Sequence, residues 1–348
     1  MQLKQLRLHN FRNYEYVVAE FAPGINLIQG TNGQGKTNLI EAIYLLSTGR
    51  SFRTTHLKDL IHHGKEAFEI EGVFERDGIE QSLKITFDGQ TKRVQHNQTT
   101  YGTFAKLLGL LPVVLMAPHD HELIGGAPAA RRCFLNIHIA QTDSVYAHHL
   151  IRYNKALKQR NCLLKSGEEM SLDIWEAEMA LSALYIVAKR QGAIRTLRTQ
   201  LLPLTQELSL NADVFDLIYH PSLPEAFTDA WKESRPKELI IGSTLHGPHR
   251  DDLHIKFRDK MAKSFSSEGQ KRSCLAALRF AEWRELRDQT GTIPLFGIDD
   301  FGVHLDPHRL KKLQEKLTDF GQVFLTTPLD HPHMEAQRTL TVSSGVLD

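Results

Sequence analysis

The chain has 348 residues, about twice the ~150 of an average domain, so two folding units with a packed core are expected. Hydrophobic residues make up 41% and charged residues 24%, which excludes a disordered, collagen-like or disulfide-stapled chain. Lys and Arg total 42 against 41 Asp and Glu. Any nucleic-acid surface must therefore come from local separation of charge.

Neither a membrane span nor export is predicted. The longest apolar-rich stretch, Leu107 to Pro118, is broken by Pro112 and is shorter than the ~20 residues that cross a bilayer. The first residues alternate like a strand and lack the apolar core and cleavage site of a secretory signal. Three widely spaced cysteines without a C-x-x-C pair favour buried, reduced thiols. We therefore expect a cytoplasmic protein.

Hydrophobic periodicity changes twice along the chain. Short apolar runs predict strands at 3–8, 25–28, 68–74, 83–87, 239–241, 293–298 and 323–325, and helices at 39–46 and 268–287. Between Pro118 and Leu210 apolar residues recur at helical spacing instead. The sequence predicts an α/β head built from residues 1–117 and 243–348, with a mainly helical domain inserted at 118–242.

A phosphate-binding loop is predicted at residues 30–37. The residues fit G-x-x-x-x-G-K-[ST] and lie between an apolar strand and an amphipathic helix. In this motif glycines let the backbone wrap a phosphate chain, the lysine reaches the β- and γ-phosphates, and the last hydroxyl binds Mg²⁺. The predicted nucleotide-binding residues are Gly30, Thr31, Asn32, Gly33, Gln34, Gly35, Lys36 and Thr37.

A second motif completes a magnesium site. The apolar run 293–298 ends in Asp299 and Asp300. Asp299 is predicted to hold Mg²⁺ with Thr37, while Asp300 orients the attacking water. Thr326, near the end of the next predicted strand, occupies the position where a polar side chain could sense the γ-phosphate. An ordinary acidic turn is the alternative for the two aspartates, and the phosphate-binding loop disfavours it.

The segment 267–270 indicates the kind of P-loop protein. Ser-x-Gly-Gln before a helix has the form of an ABC-type signature, and the same letters form an S-x-x-Q capping box. The two interpretations are compatible, because a helix start with exposed N–H groups also binds anions. In ABC ATPases the phosphate belongs to the other subunit, so Ser267, Gly269 and Gln270 are predicted to act in trans. ATP, Mg²⁺ and a homodimer are implied.

Further motifs resemble those of the RecF family of recombination-mediator ATPases, in the ABC/SMC-like group. They cover nearly the whole chain and lie at 10–14, 33–42, 49–54, 128–132, 159–161, 247–253 and 267–270. The resemblance implies a weak, DNA-stimulated ATPase that dimerises on ATP at gapped DNA or single-strand/double-strand junctions. It also implies that the protein works with RecO and RecR to load RecA, and that Arg12, Asn13 and Asn38 lie by the nucleotide.

The chain departs from the usual family residues at His119, at Asn136 and in the run Val303-His304-Leu305-Asp306. The first and last lie near loops that couple ATP to the dimer interface, so turnover and dimer strength are the properties affected. Two alternatives stay open beside the ATPase. One is a non-hydrolysing, ATP-gated DNA-binding module, favoured by Asp300 where fast ABC ATPases have Glu. The other is a metal-dependent nuclease using residues 246–252.

Basic residues are concentrated in the predicted insertion. Between Arg131 and Lys165 there are seven Lys or Arg and one acid, Asp143. This separation of charge predicts a face that contacts DNA phosphates without reading sequence, with a solvated helix surface as the plain alternative. The predicted contacts are Arg131, Arg132, Arg152, Lys155, Lys158 and Arg160.

Overall fold

Two six-stranded sheets, a three-stranded sheet and several long helices make up the described part of the chain. The computed structural model describes residues 1–208, 213–223, 226–302, 307–328 and 335–347, without the side chains of residues 307 and 309. The strands are β1 (Gln2–Phe11), β2 (Tyr14–Glu20), β3 (Ile25–Gln29), β4 (Phe68–Arg76), β5 (Ile79–Phe87), β6 (Lys92–His96), β7 (Thr99–Tyr101), β8 (Val113–Met116), β9 (Phe215–His220), β10 (Asp252–Phe257), β11 (Lys260–Met261), β12 (Leu295–Ile298), β13 (Val323–Thr327), β14 (Arg338–Ser343) and β15 (Val346–Leu347). The helices are α1 (Lys36–Thr48), α2 (His121–Gly125), α3 (Pro128–Ala140), α4 (Ser144–Ser166), α5 (Leu172–Leu208), α6 (Phe227–Ile241), α7 (Ala262–Phe265), α8 (Glu268–Thr290) and α9 (Pro307–Leu317).

The first sheet is antiparallel, in the order β2-β1-β4-β5-β6-β7. Its strands alternate as the sequence predicts, since Leu6 and Leu8 of β1 are fully buried while Arg7 between them is exposed. A two-residue turn joins β4 to β5, and Asp77 and Gly78 both have positive φ, as a type I′ hairpin requires.

The second sheet places the functional site. Its order is β15-β14-β3-β13-β12-β8, and β14, β3, β13, β12 and β8 run parallel. Because the carboxyl ends of parallel strands meet at one edge, the loops after β3, β13 and β12 come together there. These are the loops that carry the predicted phosphate-binding and acidic residues.

Two hydrophobic clusters lie on the two sides of the parallel sheet. One joins α1 to the antiparallel sheet and includes Ile28 and Phe324. The other joins α3, α4, α5 and α8 and includes Phe296 and Leu325 from the opposite face of the same strands. Alternate residues of these strands therefore face different cores, as expected of a sheet covered on both sides.

Several details differ from the sequence predictions. Residues 239–241 were expected to form a strand but end α6, and Ile240 is 88% exposed. A run of three apolar residues does not distinguish strand from helix, and α6 continues through Pro236. Among the cysteines, Cys274 is buried as expected, whereas Cys162 is exposed.

The division at 118–242 stays a prediction. A three-stranded antiparallel sheet, β11-β10-β9, takes β9 from the predicted insertion and β10 from the predicted head. The helices of the insertion also share a hydrophobic cluster with α8 and β12. The predicted insertion and the predicted head therefore share one of the two hydrophobic clusters.

Candidate functional site

The phosphate-binding loop connects β3 to the first turn of α1. Gly35 has φ +121°, and a Cβ there would lie 2.6 Å from the Asn13 amide, so only glycine fits. No side chain caps the start of α1. Its first-turn N–H groups are therefore available to an anion.

Neighbouring segments hold the loop from outside. The Asn13 amide donates to the Gln34 carbonyl at 2.7 Å, and the Tyr14 hydroxyl donates to the Gly35 carbonyl at 3.0 Å. Asn38 in turn donates to Asn13 Oδ1 at 2.8 Å. Asn13 and Asn38, which the family resemblance placed at the nucleotide, thus lie against the loop and fix its shape.

Lys36 lies inside the loop. Its ammonium donates to the carbonyls of Gly30 at 2.7 Å and Thr31 at 3.0 Å, and the residue is only 5% exposed. Burial lowers the pKa of Lys36, while the charges of Asp300 and Asp299 act in the opposite direction. The cation is therefore held where the loop would surround a phosphate.

Three oxygen-bearing side chains and the backbone of Asp300 meet beside the loop. Asp299 Oδ1 accepts hydrogen bonds from the hydroxyls of Thr37 at 2.9 Å and Thr326 at 2.8 Å. The Thr326 hydroxyl also accepts the backbone N–H of Asp300 at 2.8 Å. Asp300 has φ +56°, a strained conformation for a non-glycine residue, and this contact helps to fix it. The predicted residues of three separate segments are thus brought together.

This donor set fits a magnesium ion. Hydroxyl and carboxylate oxygens are the ligands that Mg²⁺ prefers, and Thr37 and Asp299 supply one of each. Burial raises the pKa of the Asp299 carboxyl, Thr326 lowers it, and the charge of Asp300 raises it further. A divalent cation at this place would favour the ionised carboxylate.

Arg12 is bound to α1 through Glu41. Its guanidinium donates to both carboxylate oxygens of Glu41, at 2.9 and 2.8 Å, and to the Asp59 carbonyl at 2.8 Å. Glu41 is fully buried and also pairs with Arg53 at 3.2 Å. Glu41 was not among the predicted residues, although an acid among the apolar residues of α1 was an available signal.

The signature segment begins α8 as a capping box. The Ser267 hydroxyl accepts the Gln270 N–H at 3.2 Å, and the Gln270 side-chain oxygen accepts the Ser267 N–H at 2.9 Å. The Gln270 amide also donates to Asp213 at 2.9 Å. Ser267 is exposed and retains its hydroxyl proton, and the N–H groups of Glu268 and Gly269 point out of the first turn.

The predicted DNA contacts divide into buried and exposed residues. Arg160 has no exposed surface and pairs with Glu176 at 2.8 Å and Glu238 at 2.6 Å, so its assignment as a DNA contact is wrong. Arg160 lies on the face of α4 that packs against α5 and α6. Its closeness in sequence to the exposed Lys158 does not indicate this orientation. Arg131 is likewise held by Asp252, at 2.7 and 3.0 Å, and is only 8% exposed.

Three of the other predicted contacts stay accessible. Lys155 and Lys158 are exposed on α4, and Arg152 is half-buried and paired with Glu178. Arg132 donates to the Asp251 carbonyl at 2.8 Å.

The segment 246–252 does not offer a metal site. Asp251 is buried and accepts from Arg190 at 2.9 Å and from the Ser222 N–H at 2.8 Å, while Asp252 is held by Arg131. His249 bonds to the Tyr153 hydroxyl and to the Thr244 carbonyl. Within the described ranges, no group of three or more His, Cys, Asp or Glu is arranged to hold a metal ion. The nuclease alternative thus loses its proposed ligands.

Acidification is expected to destabilise the protein through His249. Burial, assisted by the positive charges of Arg250 and Arg132, lowers the pKa of His249 to about 4, against about 6.5 in the unfolded chain. The folded state then binds fewer protons, so this stability is complete above pH 6.5 and is lost as pH falls toward 4. We expect a loss of on the order of 1–3 kcal/mol. Urea unfolding at pH 7 and pH 4 measures this loss. The free energy of unfolding of His249→Gln should fall less between the two pH values than that of the wild type. Equal falls would contradict the role of His249.

Two of the residues that depart from the family pattern contact neighbouring side chains. His119 stacks on Phe52, with ring centroids 5.2 Å apart. Asn136 Oδ1 accepts from Tyr146 at 2.7 Å and from Arg190 at 2.9 Å, as an aspartate could. The third, residues 303–306, lies outside the described residues. No helix in the described part of the chain is long and apolar enough to span a bilayer.

The loop, the acidic strand end and the capped signature helix on this sheet define a P-loop ATPase head of the ABC/SMC class. The profile of the RecF/RecN/SMC N-terminal domain family matches residues 2–345. A solved Smc head bound to the C-terminal winged-helix domain of ScpA shares the fold, with TM-score 0.58 and 17% identity, covering 100% of this chain and 97% of that chain.

Curated relatives narrow the assignment. The DNA replication and repair protein RecF of Protochlamydia amoebophila is 43% identical over 98% of both chains, and that of Chlamydia caviae is 38% identical over 99% of this chain and 96% of its own. A solved structure of the recombination mediator RecF with ATP, of the RecFOR pathway, matches with TM-score 0.92 and 30% identity, covering 99% of this chain and 96% of that one. The chain belongs to the RecF family, which confirms the resemblance and the predicted ABC-type α/β head.

Proposed function

We propose that the chain is an ATP-dependent DNA-binding protein of recombinational repair and replication restart, acting in the cytoplasm. ATP and Mg²⁺ bind at the loop, two copies dimerise on gapped DNA or on single-strand/double-strand junctions, and slow hydrolysis releases the DNA. RecO and RecR are the partners in loading RecA. The observation that carries the proposal is the meeting of Lys36, Thr37 and Asp299 around one phosphate-binding loop.

The chemistry is transfer of the γ-phosphoryl group to water. The bond between the γ-phosphorus and the bridging oxygen breaks, a bond to the water oxygen forms, and ADP, phosphate and a proton result. When bound, Mg²⁺ offsets the charge of the β- and γ-phosphate oxygens. Lys36 adds positive charge to the same oxygens, and Asp300 orients the water. The aspartate side chain is one methylene shorter than glutamate, which favours slow turnover.

A second copy is needed to complete this site. Among the described residues of one chain, Ser267 hydrogen-bonds to Gln270 and forms no hydrogen bond to the phosphate-binding loop. Its hydroxyl proton and the N–H groups at the start of α8 can therefore meet the γ-phosphate of a partner's ATP. Two such contacts related by twofold symmetry would hold two nucleotides between two copies.

The variant Ser267→Asp tests the dimer directly. Aspartate caps a helix as well as serine does, so α8 and the unfolding midpoint should be unchanged. Its carboxylate would face the γ-phosphate, and the repulsion should weaken ATP-dependent dimerisation by more than about tenfold. Sedimentation with ATP and Mg²⁺, with and without a gapped duplex, measures the effect.

Ser267→Asn supplies the matched control, since it caps the helix without adding charge and should retain most dimerisation. If the wild type stays monomeric on DNA with ATP, or if Ser267→Asp dimerises normally, the shared site is wrong and Ser267 is a helix cap alone. Phosphate release in the same samples separates the ATPase from a non-hydrolysing, ATP-gated module.

A further inference from the structure

Two arginines beside the segment 247–251 lack the carboxylate partners that other arginines of this region have. Arg132 donates to the Asp251 carbonyl at 2.8 Å, and Arg250 makes only long contacts, of 3.4 and 3.3 Å, with the Thr244 carbonyl. Among the residues that the structure describes, neither forms an ion pair. Arg131, Arg190 and Arg279, by contrast, each bind a buried or half-buried carboxylate.

We propose that Arg132 and Arg250 together bind one backbone phosphate of DNA. The inference rests on the proposed function, since it names residues that would hold the DNA. Arginine suits this task because its planar fork of N–H donors matches phosphate oxygens in pairs. A contact with the phosphate alone carries no sequence information, as a protein acting at gaps in any sequence requires.

The nearby carboxylates are already bound by other arginines. Asp251 is 1% exposed and is occupied by Arg190, while both oxygens of Asp252 are bound by Arg131. Burial and the charge of Arg190 lower the pKa of Arg132, the charges of Asp252 and Asp251 raise it, and the charge of Arg250 lowers it. A phosphate would supply the hydrogen-bonded anionic partner that neither Arg132 nor Arg250 has among the described residues.

The turn that presents Arg250 is built rigidly. The Arg250 N–H donates to the Gly247 carbonyl at 2.8 Å, and the Gly247 N–H donates to the Ser222 hydroxyl at 2.6 Å. Gly247 has φ +132°, and a Cβ there would collide with the Tyr153 hydroxyl. Trp231 also donates to the His246 carbonyl at 2.8 Å. An anchored turn presents an exposed arginine with little entropy to lose on binding.

The same turn lies against α4, which carries exposed lysines. Tyr153 contacts His249, and Arg160 contacts Thr244, so the turn spans about 10 Å of this helix. Lys155 and Lys158 lie between these two positions in sequence and are exposed. At about 100° per residue these lysines are roughly 140–200° around α4 from Tyr153, so they face away from the turn. DNA as the source of the phosphate therefore rests on the proposed function.

The test measures binding of a gapped duplex in ATP and Mg²⁺ across 0.05 to 0.3 M salt. For Arg250→Gln we expect about tenfold weaker binding at low salt. For the double variant Arg132→Gln/Arg250→Gln, the slope of log binding constant against log salt concentration should be smaller by about 0.9 in total, the value for one phosphate. Arg250→Lys should keep most of the slope. Arg287→Gln is the matched control, because that arginine pairs with Asp288.

Each possible outcome supports or contradicts the arginine site. A wild type that does not bind DNA overturns the proposed function together with this site. If the wild type binds DNA normally and the double variant has an unchanged slope, the arginine site alone is wrong. A slope change of about 1.8 would also contradict it, because it would mean that the arginines contact two separate phosphates. Loss of ATP-dependent dimerisation in Arg250→Gln would assign the arginine to the dimer interface instead.

Discussion

Lys36→Ala is expected to lower ATP turnover by about 100- to 1,000-fold and to abolish ATP-dependent dimerisation. The ammonium is the buried positive charge inside the phosphate-binding loop, where it contacts the Gly30 and Thr31 carbonyls. Alanine leaves the β- and γ-phosphate oxygens without that charge in a place from which water is largely excluded. Phosphate release and sedimentation, each with and without ATP, measure the two effects.

Lys84→Ala is the control for Lys36→Ala. Lys84 lies on the surface of β5 and pairs with Glu69 at 2.8 Å, so turnover and dimerisation should remain at wild-type values. Lys36→Arg, which keeps the charge but enlarges the side chain, should also fail, because the enclosed loop has little room for a guanidinium. Turnover by Lys36→Ala within a few-fold of the wild type would show that the loop does not carry the chemistry.

Arg160→Ala is expected to lower the free energy of unfolding by about 3–5 kcal/mol. Arg160 is fully buried between Glu176 and Glu238, and it also donates to the Thr244 hydroxyl at 2.8 Å. Removing the cation leaves the buried Glu238 carboxylate without its ion pair and Glu176 with Arg235 alone. Urea unfolding followed by tryptophan fluorescence measures the loss, and Trp231 lies beside the guanidinium at 5.9 Å.

A surface pair on the same helix gives the matched control. Arg152 binds Glu178, and both side chains are about one-third exposed, so Arg152→Ala should cost less than about 1 kcal/mol. DNA binding by the folded fraction of Arg160→Ala should equal that of the wild type, since the residue has no surface to offer. A stable Arg160→Ala with weakened DNA binding would restore the original sequence prediction.

The sequence predicts best where chemistry is local in the chain. Residues 30–37 supply loop, lysine and hydroxyl within eight positions, so the motif and its strand–helix context determine one geometry. The capping box at Ser267 is local in the same way, and the hydrogen bonds confirm it. Asp299 and Thr326 could also be anticipated, because the ends of parallel strands meet at one edge of a sheet.

Residues whose environment depends on distant segments could not be assigned from the sequence. Glu41 becomes a buried partner of Arg12 and Arg53 only when β1 and the segment after α1 close over it. The apolar run 239–241 is equally compatible with a strand and with a helix, and only its packing distinguishes the two.

The sequence by itself determined the class of protein, the nucleotide loop and the concentration of positive charge in the insertion. Only the tertiary structure decided which of those charges can meet a ligand. Lys158 and Arg160 are two residues apart, about 200° around α4, so one faces solvent and the other faces the core. The side that is covered depends on where α5 and α6 pack, and local sequence does not encode that. Arg132 contacts the distant turn of Arg250 for the same reason, since it donates to the carbonyl of the next residue, Asp251.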